Sequence, residues 1–373
     1  MADLAIAVDP GGSFLKCFST ISSFMPQLTL MEPEVALVPQ QSIEVYERNK
    51  IGSAAPENSA WIEYKGKYQA VGFLARQRFH ADLQLQKRKF ELAIPKVLAI
   101  VGALAEKHNL ENGAAIQLGI VFPWGEYQDR ALFKQLITEA LSNFRFRGKE
   151  CSFVLDTFMC LPEGGGVLTR GRAPGSSLKE QTVAVVMMGY RDVSVLLVER
   201  GDMSNGCTEP LGFARLIETV KCQTSGLNQH KLAAAICRAG KGINPKVLAQ
   251  LVETTDPIYR DDEISGIRKA IALAKEEYWM MLSQWLRLRI PRDVDEVILA
   301  GGTANYLRTE LNALFSYTQT NWCESLEKQL HNNFVAQIES KSLSYRLTDV
   351  YGLFFYLCGT RSQFTATAHG QTN

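Results

Sequence analysis

Two segments of this chain share one design, and this repetition constrains the fold more than any other feature. Residues 4–18 contain an apolar run, a turn through Gly11 and Gly12, and a second, alternating run. Residues 183–198 repeat the arrangement around Gly189. Apolar runs joined by a short glycine turn predict β-hairpins. Two such hairpins, each near the start of a segment where strands and helices alternate, indicate an internal duplication and two related lobes that meet over a ligand cleft.

The tip of the first hairpin carries residue types that suit a phosphate. Gly11 and Gly12 let main-chain N–H groups approach an anion, Ser13 adds a hydroxyl, and Lys16 supplies positive charge. Asp9, at the end of the first apolar run, can hold a hydrated cation. An ordinary glycine turn in a buried edge hairpin is the alternative interpretation.

Length and composition limit the function classes. With 373 residues, 46% of them hydrophobic, the chain can bury a large core in two or three lobes. The formal net charge of +1 provides no global field for nucleic acid or an acidic membrane. The eight cysteines show no spacing suited to zinc, so we expect reduced thiols. Because no signal peptide or membrane helix is recognisable, we expect a cytoplasmic protein.

The first half of the chain predicts an α/β lobe with a small addition. Helical patterns over 92–108 and 127–143 alternate with strand patterns over 115–122 and 152–155. Before them, residues 26–78 predict a satellite lobe with two short strands. A basic run follows that lobe, and we predict a solvated helix face rather than a binding patch for Arg76, Arg78, Lys87, Arg88 and Lys89.

A loop acid and a flexible segment follow this lobe. Glu163 comes after a proline and before three glycines, where a carboxylate can project from a loop into a cleft; a solvent-exposed loop acid is the alternative. Residues 164–181 are rich in glycine and polar residues, which predicts the crossing between the two lobes.

The second half is rich in helices. Residues 266–290 carry one apolar stripe that ends at Pro291, which favours core packing over a coiled-coil partner. A buried strand over 295–300 turns through Gly301 and Gly302 into the next helix, and such a turn lets a flat ring or a phosphate lie against the main chain. The apolar helix over 349–357 is predicted to pack back on the first lobe.

Taken together, these motifs resemble the actin-like ATPase superfamily, and most closely the bacterial ParM-like plasmid-segregation actins, over nearly the whole chain. The resemblance implies an α/β, two-lobed actin-like fold of duplicated ribonuclease H-like type with a cleft between the lobes. Domain I is expected over 1–165, with a small subdomain over about 26–78 and a completing C-terminal helix over 348–373. Domain II is expected over 180–347.

The resemblance also implies a nucleotide site with ATP or GTP and Mg²⁺. Asp9 would order the hydrated magnesium. Glu163 would be the catalytic residue, with a carboxylate that positions the attacking water. The remaining nucleotide contacts would come from the two hairpin tips and the purine-side turn, through Gly11, Gly12, Ser13, Lys16, Gly189, Tyr190, Arg191, Gly301, Gly302 and Thr303. The implied partners are further copies of the chain in a filament and an adaptor that links to DNA, with no direct nucleic-acid or membrane contact.

The second hairpin departs from the superfamily pattern. Where the pattern has an acid, two glycines and two threonines, this chain has the sequence Met-Met-Gly-Tyr-Arg-Asp over 187–192. The acid that would help to place a metal is absent, so the pattern supports nucleotide binding more than hydrolysis. Arg191 either offsets phosphate charge or lies in a turn at the surface.

Two other functions compete with a filament ATPase. One is a small-molecule kinase of the same superfamily, of the sugar or acetate kinase type, although no sugar-binding signature is recognisable. The other is a filament protein that binds nucleotide and hydrolyses it poorly. A Walker-type NTPase is disfavoured because the chain has no GxxxxGK[ST] motif.

Overall fold

The computed structural model describes residues 2–21, 25–170, 178–254, 256–338 and 343–368. The chain divides into two compact units, one formed by Met1–Ser176 with Cys323–Asn373 and the other by Ser177–Trp322. Part of the predicted crossing over 164–181 lies outside the described residues, which resume at 178.

The first unit contains two five-stranded sheets. Its strands are β1 (Leu4–Pro10), β2 (Leu15–Ile21), β3 (Gln27–Met31), β4 (Val35–Val38), β5 (Trp61–Tyr64), β6 (Lys67–Val71), β7 (Ala115–Phe122), β8 (Phe144–Phe146), β9 (Lys149–Cys151) and β10 (Val154–Pro162). The main sheet has the order β10-β7-β1-β2-β3, and the smaller sheet has the order β4-β6-β5-β8-β9. The smaller sheet therefore extends beyond the predicted satellite lobe at 26–78, because β5 pairs with β8.

Helices cover the sheets of this unit. They are α1 (Gln40–Asn49), α2 (Phe73–Phe79), α3 (Lys89–His108), α4 (Trp124–Tyr127), α5 (Arg130–Ser142) and α6 (Gly165–Arg170), with a short 3-10 turn at Pro56–Ser59. The interior residues of α3 are buried against β1 and β7 in one apolar core. Helix α3 begins at Lys89, three residues before the predicted start at 92.

The second unit repeats the main-sheet topology of the first. Its strands are β11 (Thr182–Met188), β12 (Val193–Glu199), β13 (Asp202–Glu209), β14 (Glu296–Ala300) and β15 (Gln319–Asn321). In each unit the first strand pairs antiparallel with the next strand and parallel with a later one, as β1 does with β2 and β7, and β11 with β12 and β14. The predicted duplication of the hairpins is thus confirmed.

Six helices complete the description of the second unit. They are α7 (Phe213–Gln223), α8 (Gln229–Ala239), α9 (Pro245–Leu248), α10 (Pro257–Arg289), α11 (Gly302–Tyr306) and α12 (Arg308–Leu314), and a 3-10 turn lies at Leu178–Glu180. Helix α10 starts nine residues before the predicted 266, because Asp256 caps its N-terminus by accepting from the N–H of Ile258.

The chain then returns to the first unit through α13 (Glu324–Asn333), α14 (Val335–Ile338) and α15 (Ser344–Ala368). The boundary lies at Cys323 rather than at the expected 348, because α13 already packs on α15. Asn333 donates to the Tyr351 hydroxyl at 2.8 Å, and the rings of Phe334 and Tyr351 meet edge to face. Helix α15 includes the predicted segment 349–357 and lies against β1 and β7. Within the described ranges, no helix is both long and apolar enough to cross a bilayer.

Candidate functional site

The first tip is closed at its base by an ion pair across the hairpin. The register places Asp9, near the end of β1, opposite Lys16 of β2. The Lys16 Nζ lies 2.5 Å from the Asp9 Oδ2, and each side chain is 10% exposed. This pairing follows from the local hairpin geometry, since directly opposed residues of an antiparallel pair bring their side chains together.

A second lysine, Lys89, connects this ion pair to Glu163, the predicted catalytic residue. The Lys89 Nζ donates to the Asp9 Oδ1 at 2.6 Å and to the Glu163 Oε1 at 2.8 Å. Its side chain is 5% exposed, so the prediction of a solvated face is wrong for this member of the basic run. Lys89 is the first residue of α3, and that helix directs it under the tip rather than toward solvent.

The start of α3 is held by a carboxylate. Glu126 accepts from the main-chain N–H of Lys89 at 3.0 Å and from that of Phe90 at 2.6 Å. The first N–H groups of a helix have no partner within the helix, and a carboxylate there also complements the helix dipole. Glu126 therefore fixes the position from which Lys89 reaches Asp9.

Opposite charges shift the pKa values of Asp9 and Lys89 toward their ionised forms. Burial alone would raise the pKa of Asp9, but the charges of Lys16 and Lys89 outweigh it and hold that pKa well below its usual range. Burial would lower the pKa of Lys89, yet the carboxylates of Asp9 and Glu163 raise it above its usual value. Both shifts favour the charged forms of Asp9 and Lys89 at neutral pH.

Two further cations contact the first tip. Lys96 of α3 is buried, and its Nζ lies 3.3 Å from the Pro10 carbonyl oxygen and 3.4 Å from that of Gly11. Arg346 of α15 donates to the Ser13 Oγ at 2.5 Å, and its guanidinium lies 5.0 Å from the centre of the neighbouring Phe14 ring. These contacts bring the cationic side chains at the tip to four, with Lys16 and Lys89.

The loop that carries Glu163 is anchored by Asp349. The Asp349 Oδ2 accepts from the N–H of Gly164 at 2.9 Å, and the Oδ1 accepts from those of Gly166 and Val167 at 2.8 and 3.2 Å. Burial raises the pKa of Asp349 to about 6; the Gly164 and Val167 N–H groups oppose this rise, and the charges of Asp9 and Glu163 add to it.

This raised pKa predicts a pH dependence of stability that Asp349→Asn removes. Since the pKa of Asp349 rises from 3.8 to about 6 on folding, its contribution is complete below pH 3.8 and lost as the pH passes 6. We expect the unfolding free energy of the wild type, relative to the variant, to fall by about 2–3 kcal/mol between pH 4 and pH 7. Urea titrations at several pH values measure it; a difference that is constant across this range would contradict the assignment.

In the second unit the second tip lies against the predicted purine-side turn. The Thr303 Oγ1 donates to the Gly189 carbonyl oxygen at 2.7 Å. Gly301 adopts a φ of +101°, and a Cβ there would lie 2.9 Å from the Met188 carbonyl carbon. Only glycine tolerates both this φ and so short a distance to the Met188 main chain. The Gly301 main chain can therefore lie next to the end of β11. Gly302 begins α11.

The other two predicted residues of the second tip are engaged within their own unit. The Tyr190 hydroxyl accepts from the Gln229 amide at 3.3 Å, and its ring centre lies 6.4 Å from that of Phe213. The Arg191 Nε lies 2.6 Å from the Asp192 Oδ2, and these two side chains are 18% and 11% exposed.

The structure thus unites Asp9, Lys16 and Glu163 in one cluster, and Gly189, Gly301 and Thr303 in another. Gly11, Gly12 and Ser13 form the half-buried turn above the first cluster. The sequence did not reveal Lys96, Glu126, Arg346 or Asp349 as part of this site, and it assigned Lys89 to the surface. A weak signal for Lys89 exists, since the apolar pattern of α3 begins at the next residue.

No protein-family model matches the chain, and no curated protein matches its sequence. Solved structures do match. The actin-like protein Alp7A is 14% identical, with a TM-score of 0.64 over 99% of both chains. A non-polymerisable quadruple mutant of pCBH ParM is 13% identical, with a TM-score of 0.59 over 95% of this chain and 98% of that chain.

An AlfA filament bound to AMPPNP is also 13% identical, with a TM-score of 0.54 over 98% of this chain and 99% of that chain. Fold does not imply function, and at such low identity the likeness establishes architecture alone. The repeated sheet topology and these matches together confirm that this chain has the actin-like fold.

Proposed function

We propose that this chain is a nucleotide-dependent, filament-forming actin-like protein with a cytoskeletal or DNA-segregation role, which binds ATP or GTP and hydrolyses it slowly. The observation that carries the proposal is the buried cluster of Asp9, Lys16, Lys89 and Glu163 beneath a Gly-Gly tip. Buried charges are costly to keep, and such clusters occur preferentially where a protein binds or transforms a ligand.

The cations at this tip suit a polyphosphate. Lys16 and Lys89 bind Asp9, Lys96 contacts the Pro10 and Gly11 carbonyl oxygens, and Arg346 donates to Ser13. Phosphate oxygens form strong charge-assisted hydrogen bonds with ammonium and guanidinium groups. In the proposal, Ser13, Lys16 and the Gly11 and Gly12 main chain hold phosphates, and Gly301, Gly302 and Thr303 take the purine side.

Glu163 is the proposed catalytic residue. Lys89 donates to one of its oxygens and thereby fixes the orientation of the carboxylate, which in this role positions the attacking water. Slow hydrolysis is proposed because the second tip has Met187 where the superfamily pattern has an acid, and because Asp192 is paired with Arg191.

Self-assembly is the proposed use of the bound nucleotide. Contacts between different surfaces of identical subunits do not close on themselves and generate helical polymers. The AlfA structure is a filament bound to AMPPNP, which supports this reading for a chain of the same fold. An adaptor that links the filament to DNA completes the proposed role.

Sedimentation with negative-stain microscopy, in magnesium buffer with ATP, GTP or no nucleotide, tests the proposal. We expect filaments that pellet with nucleotide and shorten as phosphate is released. Glu163→Gln keeps an acceptor for Lys89 but loses the charge, so it should bind nucleotide, release phosphate roughly 10²-fold more slowly and stabilise filaments. The exposed Glu111→Gln serves as the matched control.

Two results would contradict this proposal. Monomers or closed dimers with every nucleotide tried would exclude assembly. Phosphate release by Glu163→Gln at the wild-type rate would leave Glu163 as a structural loop residue only.

A further inference from the structure

We infer that lysine and arginine side chains supply the counter-charge for the nucleotide polyphosphate at the first tip, without a divalent cation held on Asp9. This inference rests on the proposed nucleotide binding. It specifies which groups balance the negative charge of the phosphates. It departs from the magnesium role that the sequence resemblance implies for Asp9.

Both carboxylate oxygens of Asp9 already accept from ammonium groups. Lys16 lies 2.5 Å from one oxygen and Lys89 lies 2.6 Å from the other. A magnesium ion requires near-octahedral oxygen ligands and keeps a shell of water, so it needs carboxylate lone pairs that face open space. Two buried ammonium groups at this range repel a metal ion, and the repulsion is stronger because little water screens these charges.

The described residues offer no other ligand set for the cation. Two other carboxylates interact with Asp9: Glu163 is bound by Lys89 at 2.8 Å, and both oxygens of Asp349 accept from main-chain N–H groups. In the second unit, Met187 stands where the superfamily pattern has an acid, and Asp192 is ion-paired with Arg191. Across the residues that the structure describes, no three His, Cys, Asp or Glu side chains are grouped to hold a metal.

The same side chains replace the charge that a metal would supply. A divalent cation on a nucleotide neutralises phosphate charge, and Lys16, Lys89, Lys96 and Arg346 bring four cationic groups to this tip. Lys96 is oriented by the Pro10 and Gly11 carbonyl oxygens, and Arg346 by the Ser13 hydroxyl. Contacts within the protein therefore hold these cations at the tip, which lowers the cost of binding an anion.

Isothermal titration of the full chain with ATP and with GTP, in excess EDTA and in excess Mg²⁺, tests the inference. We expect the dissociation constants in the two conditions to agree within about threefold, which is less than 1 kcal/mol. Binding in Mg²⁺ that weakens tenfold or more in EDTA would overturn the inference and leave the proposed function standing. No binding of either nucleotide in either condition would overturn both.

A substitution at the rim of the tip provides a second, independent measurement. Arg346→Gln should weaken ATP binding in EDTA by about tenfold, because a charged hydrogen bond to a phosphate is lost. The exposed Arg292→Gln of the second unit is the matched control and should leave the affinity unchanged. Urea unfolding of both variants verifies that each is folded, and an unchanged affinity in folded Arg346→Gln would overturn the assignment of the cations.

Discussion

Replacing Lys89 with methionine should lower the free energy of unfolding by about 3–5 kcal/mol at pH 7, one of the two largest effects that we expect in this chain. The Lys89 ammonium is buried between Asp9 and Glu163, and methionine fills much of the same volume without a charge. The substitution removes one partner of a buried ionic cluster and leaves two carboxylates near each other with a single lysine. Breaking such a cluster costs far more than losing an exposed pair, which contributes about 0–1 kcal/mol.

Urea or guanidinium unfolding followed by circular dichroism measures this loss. Lys107→Met provides the matched control, because Lys107 lies on the same helix but is exposed, and it should change stability by less than about 0.5 kcal/mol. Adding Glu163→Gln to Lys89→Met should restore part of the lost stability, since it removes one of the uncompensated charges. Equal effects of Lys89→Met and Lys107→Met would show that the cluster does not stabilise the fold.

The contrast between Lys16 and Lys89 shows which part of the site a sequence can reveal. Lys16 faces Asp9 because a hairpin register is local, and seven residues separate the two. Lys89 reaches Asp9 from a position 80 residues away, and Arg346 reaches Ser13 from 333 residues away. The only local signal that distinguishes Lys89 from the exposed cations before it is that the apolar pattern of α3 begins at the next residue. Its burial results from where α3 begins over the main sheet.

The same distinction applies to the fold. The repeated hairpins, β7, β14 and the glycine turn before α11 follow from periodicity and turn chemistry and form as expected. The strand predicted over 152–155 instead covers Val154–Pro162 as β10. The participation of β8 in the smaller sheet and the return of the chain at Cys323 depend on which distant surfaces pack together. Long-range packing of this kind produces no periodic pattern in the sequence. The sequence therefore predicts the secondary-structure elements better than the boundaries of the lobes.

The second large effect should come from Gly352→Ala, which we expect to destabilise the first unit by about 3 kcal/mol or more. Gly352 lies in α15, where its Cα faces the main chain of Gly166 in α6. A Cβ at Gly352 would lie 2.6 Å from the Gly166 carbonyl carbon and closer still to its oxygen. Because these are main-chain atoms, no side-chain rotation relieves the overlap, and the two segments must move apart.

A second mid-helix glycine provides the matched control. Gly266 lies in α10, is exposed, and has nothing within 4 Å of the position that a Cβ would take. Gly266→Ala should therefore stabilise the protein by about 0.5–1 kcal/mol through the lower backbone entropy of the unfolded chain and the higher helix propensity of alanine. Urea unfolding measures both changes in the free energy of unfolding. A loss for Gly352→Ala together with a gain for Gly266→Ala would show that the loss results from the close contact with Gly166.

The crossing at Gly352 also bears on the candidate site. Asp349 lies one turn earlier in α15 and accepts from the N–H groups of Gly164, Gly166 and Val167, which directly follow Glu163. Separation of α15 from α6 would lengthen these hydrogen bonds and free the loop that positions the Glu163 carboxylate. We therefore expect Gly352→Ala to slow phosphate release as well as to destabilise the fold. A variant that loses stability but keeps the full rate would show that the loop is held by Lys89 and not by α15.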